Sequence, residues 1–422
     1  MKSVIGVAAS VLGLLVSPGG AVASESAATD PDRVASETAL GKAFAEGRFS
    51  VNLRYRLESV DDDAFAKDAL ASTLRSALSF ETAGYRGLFA GVTIENVSAI
   101  GNDLLYNNAG AGSRNNGVTD RPVIADPEIT ELDHLYLGYR GPGGLEIKAG
   151  RFAYTLDNQR FIGIAPWRQN HRSYEGASVA FGSDRTLRAS YAYLDRAYYN
   201  DGASPELAAH LFHLSRTFKA GAASAYAYLV DWQDESRDTR SSGTFGARFD
   251  GSAPLRGFDL LYLTEYARQT DYGDNPREFA LDYAHLWIGA RRGAWSVRVA
   301  WELKDGDGLS AVQTPLGTNH GQNGFADKLV VTPPDGSHDR YVRLAMDRER
   351  WSWLLSYHDF EAARGGAPLG TEIDFQGRFS PMPPLSLFLK IARYRAETLS
   401  TDTTKVMFWT SWTFDLVPGS RN

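Results

Sequence analysis

Arginine is the residue type in this chain whose chemistry is easiest to assign. A planar guanidinium stays charged at any relevant pH and can donate two parallel hydrogen bonds to a carboxylate. In the first third of the chain, few acidic residues lie on the same face of the predicted strands as these arginines. We therefore expect the arginines to form a patch that binds an anion. The alternative is that each one pairs with a nearby carboxylate, such as that of Glu81, Glu95 or Glu146. The arginines in question are Arg54, Arg56, Arg75, Arg151, Arg160 and Arg168.

A polar segment at residues 154–174 carries two of these arginines together with apolar side chains. Asp157, Asn158 and Asn170 can hydrogen-bond a hydrated solute, whereas Phe161 and Trp167 need a surface to pack on. A fully solvated loop has little use for that apolar content. We therefore predict that the segment folds inward and narrows the interior. The alternative is an external cap resting on neighbouring loops.

The eight histidines offer the main route to an enzyme, and they do not fit one. His210 and His213 are three residues apart, so on a strand they face opposite sides. No zinc-type or nucleophile motif accompanies them. His320 shares one polar segment with Asp327, which could hold an ion, but solvated polarity explains both. We predict no catalytic site, no metal and no cofactor; an outer-membrane hydrolase is the remaining enzyme alternative.

The elements that position these side chains are strands of alternating polarity. In residues 48–58, Phe49, Val51 and Leu53 point one way while Arg54 and Arg56 point the other. The same alternation recurs in residues 74–80, 295–304, 351–357 and 406–416. In a soluble sandwich the apolar face would meet a second sheet, whereas in an outer-membrane barrel it meets lipid and the polar face lines the lumen.

Connection lengths separate these two interpretations, because they alternate between tight and long. Gly-rich or polar turns occur at residues 84–87, 141–144, 182–185, 219–222, 291–294 and 347–350. Between them lie long polar stretches at residues 96–130, 154–174 and 305–339. This is the outer-membrane pattern, with the turns in the periplasm. We predict an all-β, antiparallel up-and-down transmembrane β-barrel of about 18 strands over residues 48–422.

The N-terminal residues predict export. Lys2, an apolar run at residues 4–16 and the small residues Ala21, Val22 and Ala23 form a secretory signal peptide over residues 1–23. Residues 24–47 then form a short periplasmic segment, too short for a plug domain. Twelve per cent aromatic residues and no cysteine suit an outer-membrane barrel. The net charge of -7 argues against nucleic acid as a partner.

Several stretches resemble the alginate-export family of outer-membrane barrels, and together they extend over most of the chain. The match departs from the family pattern at Phe152 and at residues 173–175. The matching stretches are Phe65-Ala66-Lys67-Asp68-Ala69, Ala71-Ser72-Thr73-Leu74-Arg75, Glu95-Asn96-Val97, Ala125-Asp126-Pro127, Leu156-Asp157-Asn158-Gln159-Arg160-Phe161-Ile162-Gly163, Trp167-Arg168-Gln169-Asn170, and Thr318-Asn319-His320-Gly321 with Asp327, which resembles the family's long extracellular loop.

The resemblance implies an eighteen-stranded barrel that exports an anionic polysaccharide such as alginate, or a related anionic solute, through an arginine-lined lumen. A general uptake porin for anions or oligosaccharides is the alternative. The expected partners are the solute and outer-membrane lipid, with periplasmic export proteins as further candidates, and a monomer is the expected state. The lumen residues assigned from strand phase and resemblance are Arg54, Arg56, Arg75, Arg151, Asp157, Asn158, Arg160, Arg168 and Asn170.

Overall fold

Eighteen antiparallel strands form one sheet in the computed structural model, which describes residue 39 and residues 41–416. The first strand pairs with both the second and the last, so the sheet closes into a barrel, as predicted. The strands are β1 Arg48–Asp62, β2 Ala69–Glu81, β3 Leu88–Ala99, β4 Ile129–Arg140, β5 Glu146–Phe152, β6 Ser173–Ser183, β7 Leu187–Tyr198, β8 Glu206–Phe218, β9 Gly221–Trp232, β10 Ser242–Leu255, β11 Phe258–Asp271, β12 Ala280–Arg292, β13 Trp295–Lys304, β14 Ser337–Asp347, β15 Trp351–Glu361, β16 Pro368–Met382, β17 Leu385–Ala396 and β18 Thr403–Leu416.

Side-chain alternation in β2 shows how the sequence specifies the wall. Leu70 and Leu78 are each 42% exposed on the outer face, whereas Thr73 and Arg75 are buried on the inner face. This arrangement is the reverse of a soluble protein, in which the apolar row faces the core. An apolar outer face and a polar lumen are what a lipid-embedded barrel requires, because lipid contacts only the outer row.

Short turns lie at one end of the barrel and long loops at the other. Arg86 and Gly87 both adopt positive φ in the β2–β3 turn, the conformation that two-residue hairpin turns need. At the opposite end are the β3–β4 loop (residues 100–128), the β5–β6 loop (residues 153–172) and the β13–β14 loop (residues 305–336). The alternation predicted from turn composition is confirmed.

Strand β4 contains a bulge that changes the direction of its side chains. Thr93 of β3 pairs with His134 and Ile94 pairs with Leu132, which leaves Asp133 without a partner on that side. The neighbours Leu132 and Leu135 are exposed on the outer face, while the Asp133 side chain is fully buried and that of His134 is 18% exposed. Two consecutive polar side chains therefore point inward, which simple alternation does not allow.

The N-terminal assignments fall largely outside the described residues. The predicted signal peptide at residues 1–23 lies wholly outside them. Of the predicted segment at residues 24–47, residues 41–45 are helical.

Across residues 41–416, no helix combines the length and apolar character needed to cross a membrane.

Candidate functional site in the lumen

The β5–β6 loop crosses the interior of the barrel. Near its start, Asp157 accepts a 3.1 Å contact from His213 of β8. In its middle, Arg160 donates to Glu302 of β13, and near its end Arg168 donates to Glu58 of β1 at 3.2 Å. Because β1, β8 and β13 are spread around the barrel, one loop that reaches all three must run through the lumen. The predicted inward fold is confirmed.

Apolar side chains hold this loop in place. Phe161 and Ile162 are buried in a cluster with lumen-facing aromatics of the wall. The Phe161 ring lies 5.1 Å from that of Tyr283 on β12 and 5.7 Å from that of Tyr226 on β9. The loop backbone is therefore fixed by packing, and its polar groups are held at defined positions.

The β13–β14 loop also enters the lumen, which the sequence did not predict. Its Phe325 and Ala326 amides donate to Asp374 at 3.3 Å and to Glu372 at 2.7 Å on β16. Its Asp327 accepts from Lys405 of β18 at 2.9 Å. The expectation that the polar groups of this loop are solvated is wrong for this part, because wall side chains bind its backbone amides and its acid.

Most of the predicted arginines are neutralised by carboxylates. Arg56 pairs with Glu58 at 2.5 Å, and the same Glu58 accepts from Arg168. Asp126 of the β3–β4 loop lies within 4 Å of both guanidinium groups. The expected shortage of acids near these arginines is wrong, since loops and distant strands supply them. The remaining pairs are Arg75 with Glu95, Arg151 with Glu131, and Arg160 with Glu302.

Arg54 and Arg151 differ from the other predicted arginines. Arg54 donates to the carbonyls of Pro166 at 3.1 Å and Arg168 at 2.8 Å, so it holds the loop backbone. Arg151 pairs in register with Leu135, whose side chain is exposed on the outer face. The register alone would set Arg151 on the outward row of β5, but its guanidinium is largely covered, since it donates to Ser173 at 2.7 Å and to Glu131 at 2.6 Å.

The predicted amides support the loop itself. The Asn158 side chain accepts from the Arg160 amide at 3.1 Å, and its carbonyl accepts from Gln322 at 3.1 Å. Asn170 is fully buried, with its amide 3.5 Å from the carbonyl of Tyr199. These contacts join the β5–β6 loop to the β13–β14 loop and to the wall.

A cavity of about 620 Å³ lies at the loop end of the lumen and is lined mainly by arginines among its charged residues. We call this cavity the vestibule. Asp327 is the one acidic side chain among its described lining residues, and that acid is bound to Lys405. The lining arginines are Arg168, Arg172, Arg240 and Arg277.

Three vestibule arginines were missed by the sequence analysis. Arg172 donates to the carbonyl of Gly317 at 3.1 Å, and Arg277 donates to that of Leu309 at 2.6 Å. Among the described residues, neither they nor Arg240 have a carboxylate within ion-pair distance. Strand phase could not identify them because they lie in loops. The sequence pointed to one of the three, because Arg172 lies two residues after Asn170 in the segment predicted to fold inward.

The β5–β6 loop separates the vestibule from a second cavity of about 360 Å³. Leu156 and Asp157 of the loop line this second cavity, which extends to Asp184 in the β6–β7 turn. Its charged lining is mixed, with Lys148 and Arg188 beside those acids. A solute passing along the lumen must therefore pass the loop between the two cavities.

His320 is the point at which the two inward loops meet. Its ring stacks on Trp167 of the β5–β6 loop with 3.4 Å between centroids. Its Nδ1 lies 2.8 Å from Asp327, and its Nε2 lies 2.8 Å from Nζ of Lys390. Beside a charged Lys390, Nε2 accepts and the ring is neutral. Burial, and after it the charge of Lys390, lower the pKa of His320 to about 3.

Acidification is expected to loosen this contact between the loops. An undocked His320 would titrate near 6.5, so the neutral docked form is favoured above that pH and loses favour as the pH falls towards 3. The docked fraction relative to the undocked one should fall by about tenfold per pH unit below 6.5. Single-channel conductance fluctuations should increase between pH 7 and pH 4.5.

A His320→Phe variant separates this titration from general acid effects. The phenyl ring keeps the stacking on Trp167 but has no proton to gain in this range. Asp327 does not titrate between pH 7 and 4.5, since burial opposes its ionisation but Lys405 and His320 hold its pKa below the usual range. An equally steep pH response in His320→Phe would show that His320 is not responsible.

Comparisons with known proteins agree with this architecture. The sequence model of a family described as alginate export matches residues 46–328. No curated protein sequence matches the chain. Among solved structures, OccAB2 of Acinetobacter baumannii is similar with a TM-score of 0.72 and 14% identity, covering 89% of this chain and 100% of that one.

Two Pseudomonas aeruginosa structures give the same result. OpdK, solved with vanillate, is similar with a TM-score of 0.70 and 11% identity, covering 88% of this chain and 99% of its own. OpdO is similar with a TM-score of 0.67 and 17% identity, covering 89% and 99%. At these identities the likeness shows the shared barrel fold.

Proposed function

Because the chain belongs to the alginate export family, whose sequence model matches more than half of it, we propose that this outer-membrane channel passes an anionic polysaccharide or a related anionic solute. The family and the barrel fold support a channel, and the proposal is that the protein is a channel rather than a hydrolase. The other proposed part is the identity of the solute, namely its negative charge and its chemical class. The proposal also includes a signal peptide at residues 1–23 and a monomeric channel.

The vestibule arginines are the observation that carries this proposal. Arg172, Arg240 and Arg277 line one cavity, and carbonyl oxygens rather than carboxylates accept the hydrogen bonds of Arg172 and Arg277. A guanidinium without a carboxylate keeps its charge available to a passing anion. Charged groups that line a pore raise the local concentration of the opposite ion and select by sign.

The constriction, where the β5–β6 loop crosses the lumen, plays a different role. Its arginines are paired with Glu58, Glu95 and Glu302, so their charges are largely cancelled. We infer that the vestibule attracts the anion and that the neutral constriction lets it pass without tight binding. A conducting site must hold its ion weakly enough to release it.

Reversing two vestibule charges tests the proposal. Arg240→Glu with Arg277→Glu should reduce anion preference, measured as the reversal potential of planar bilayers under a salt gradient. Both side chains are exposed, so the barrel should fold normally. A unit charge about 4 Å away is worth roughly 1 kcal/mol in water, so we expect a change on the order of tenfold in the anion-to-cation ratio.

The matched control is Arg393→Glu with Arg395→Glu. These exposed arginines lie near the loop end of β17, on the outer row, and make the same change in total charge. Screening over about 8–10 Å should leave selectivity close to that of the parent. Cation preference in the parent, or equal effects of the two double variants, would contradict the proposal.

Small anions and short anionic oligosaccharides form a second candidate solute class. The two inward loops leave cavities of about 620 and 360 Å³ on either side of the constriction, which favours short solutes. Current block by oligouronates of increasing length, compared with neutral oligosaccharides of equal length, distinguishes the classes. Block that persists to long uronate chains favours polysaccharide export, for which periplasmic export proteins are proposed partners.

A further inference from the structure

Two histidines and one aspartate converge where the β5–β6 loop meets β4. Asp133 and His134 point inward from the β4 bulge, and His171 lies near the end of the loop. One ligand atom from each of the three lies within 4.8 Å of the others. Asp133 Oδ2 is 3.5 Å from His134 Nε2, and Asp133 Oδ1 is 3.5 Å from His171 Nδ1. These distances are too long for hydrogen bonds.

The facing atoms of the three side chains are buried and make no hydrogen bond of ordinary geometry among the described residues, although the Ser173 hydroxyl lies beside Asp133. They are both carboxylate oxygens of Asp133, Nε2 of His134 and Nδ1 of His171. A buried carboxylate without a donor is costly, and buried polar groups nearly always have a partner. A bound cation would supply the missing partner to all three side chains at once.

The distances between the ligand atoms fit a bound transition metal better than direct hydrogen bonds. Zinc binds histidine nitrogen and carboxylate oxygen at about 2.0–2.1 Å, which places neighbouring ligand atoms of a tetrahedron roughly 3.3 Å apart. The two 3.5 Å distances, one to each oxygen of Asp133, are close to that edge, and one ligand atom from each side chain lies within 4.8 Å of the others. Two imidazoles and one carboxylate suit zinc, cobalt or nickel rather than calcium or magnesium, which take oxygen ligands.

Surrounding groups orient these ligands. The Thr93 hydroxyl donates to Ser79 at 2.9 Å, so its oxygen is free to accept from His134 Nδ1 at 3.3 Å. That contact leaves the Nε2 lone pair of His134 facing the cluster, as metal-binding histidines require. Two arginines lie near the cluster, and each is paired with a carboxylate: Arg75 with the buried Glu95, and Arg151 with Glu131.

We propose that Asp133, His134 and His171 bind one divalent transition metal ion and thereby fasten the β5–β6 loop to β4. The loop supplies one ligand and the wall supplies two, so the metal closes the contact at this end of the loop. A tetrahedral ion has a fourth coordination position, which water or an anionic group of a solute would occupy. This site is independent of the identity of the transported solute.

Cobalt titration of the full barrel in detergent tests the site directly. After chelator treatment, and with a purification tag free of histidine, the parent should bind one Co²⁺ per chain with the visible absorption bands of four-coordinate cobalt. Excess Zn²⁺ should remove those bands. His171→Ala and Asp133→Asn should each weaken binding at least about 100-fold, since loss of a mere supporting contact already costs about 10–100-fold.

The matched control is His210→Ala, which removes a histidine on the outer row of β8 that contacts Tyr191. It should bind cobalt like the parent. Heat-modifiable gel migration checks that each variant is folded. Absence of saturable one-to-one binding in the parent, or unchanged binding in folded His171→Ala, would overturn the proposal. Zn²⁺ should also slow hydrogen exchange of the β5–β6 loop amides in the parent and leave folded His171→Ala unaffected.

Discussion

Replacing residues 157–170 with a short Gly/Ser linker is expected to raise single-channel conductance by a factor on the order of a few-fold, since conductance follows the narrowest cross-section. The replaced segment contains the residues that cross the lumen, from Asp157 beside β8 to Arg168 beside β1. The strand ladder itself does not depend on them. Planar bilayer recordings measure the conductance directly.

The same replacement should shift selectivity towards cations. It removes Arg160 and Arg168, which are partners of Glu302 and Glu58. The hydrogen bonds that remain to the Glu302 carboxylate among the described residues would then come from neutral groups, the hydroxyl of Tyr283 and the amide of Asn323. Glu58 keeps its pair with Arg56, whereas Glu302 loses its paired arginine. A carboxylate freed in a water-filled lumen attracts cations, so conductance and selectivity should change together.

Two controls separate the effect of the loop from damage to the barrel. Heat-modifiable migration on a gel reports folding independently of the pore. Replacing residues 112–115, which are exposed in the β3–β4 loop, with Gly/Ser should leave conductance unchanged. A folded variant lacking residues 157–170 that conducts like the parent would mean that another element limits the current.

The strands could be predicted from sequence because their determinants are local. Leu70 and Leu78 on one row of β2, with Thr73 and Arg75 on the other, specify a wall with lipid outside and polar groups inside. The number of strands could be counted because turn residues mark where each hairpin reverses, as Arg86 and Gly87 do between β2 and β3. The inward β5–β6 loop was predicted for a similar reason, since its apolar side chains require a surface.

The charge partners could not be predicted, because they depend on contacts between distant parts of the chain. Arg160 meets a glutamate 142 residues away in sequence, and Arg168 meets one 110 residues away. The inward β13–β14 loop also carries buried apolar side chains, among them Leu316 and Phe325. Its position in the lumen also depends on the carboxylates of β16 that bind its backbone amides, and these lie about 50 residues away in sequence. The bulge at Asp133 could not be predicted either, because simple alternation places the neighbouring residues Asp133 and His134 on opposite faces of the strand.

The buried pair of Arg160 and Glu302 offers the sharpest single-residue test of how the lumen is organised. Both side chains are almost completely buried, and Asn323 of the β13–β14 loop contacts each of them. Arg160→Ala should destabilise the docked loop by about 3–5 kcal/mol, because it leaves Glu302 buried without its counter-ion. The strand ladder should remain intact, so the loss is local.

Hydrogen exchange measures this loss at the loop itself. The Arg172 amide donates to the Ile164 carbonyl at 2.6 Å and the Gly163 amide to the Leu316 carbonyl at 2.8 Å, so both are protected only while the loops are docked. A loss of about 3–5 kcal/mol corresponds to a fall in their protection of roughly 10²–10³-fold or more. Amides in the centre of β11 and β12 should keep their protection.

Two further variants decide whether the charge pair or its volume matters. Arg340→Ala removes one member of the more exposed Arg340–Glu361 pair and should change stability by at most about 1 kcal/mol. Arg160→Met with Glu302→Gln removes both charges while filling most of the space, so it should recover much of the protection that Arg160→Ala loses. If the double variant is as unprotected as Arg160→Ala, the loop depends on the specific geometry of the pair. If Arg160→Ala keeps full protection, the aromatic packing around Phe161 is sufficient by itself to hold the loop across the lumen.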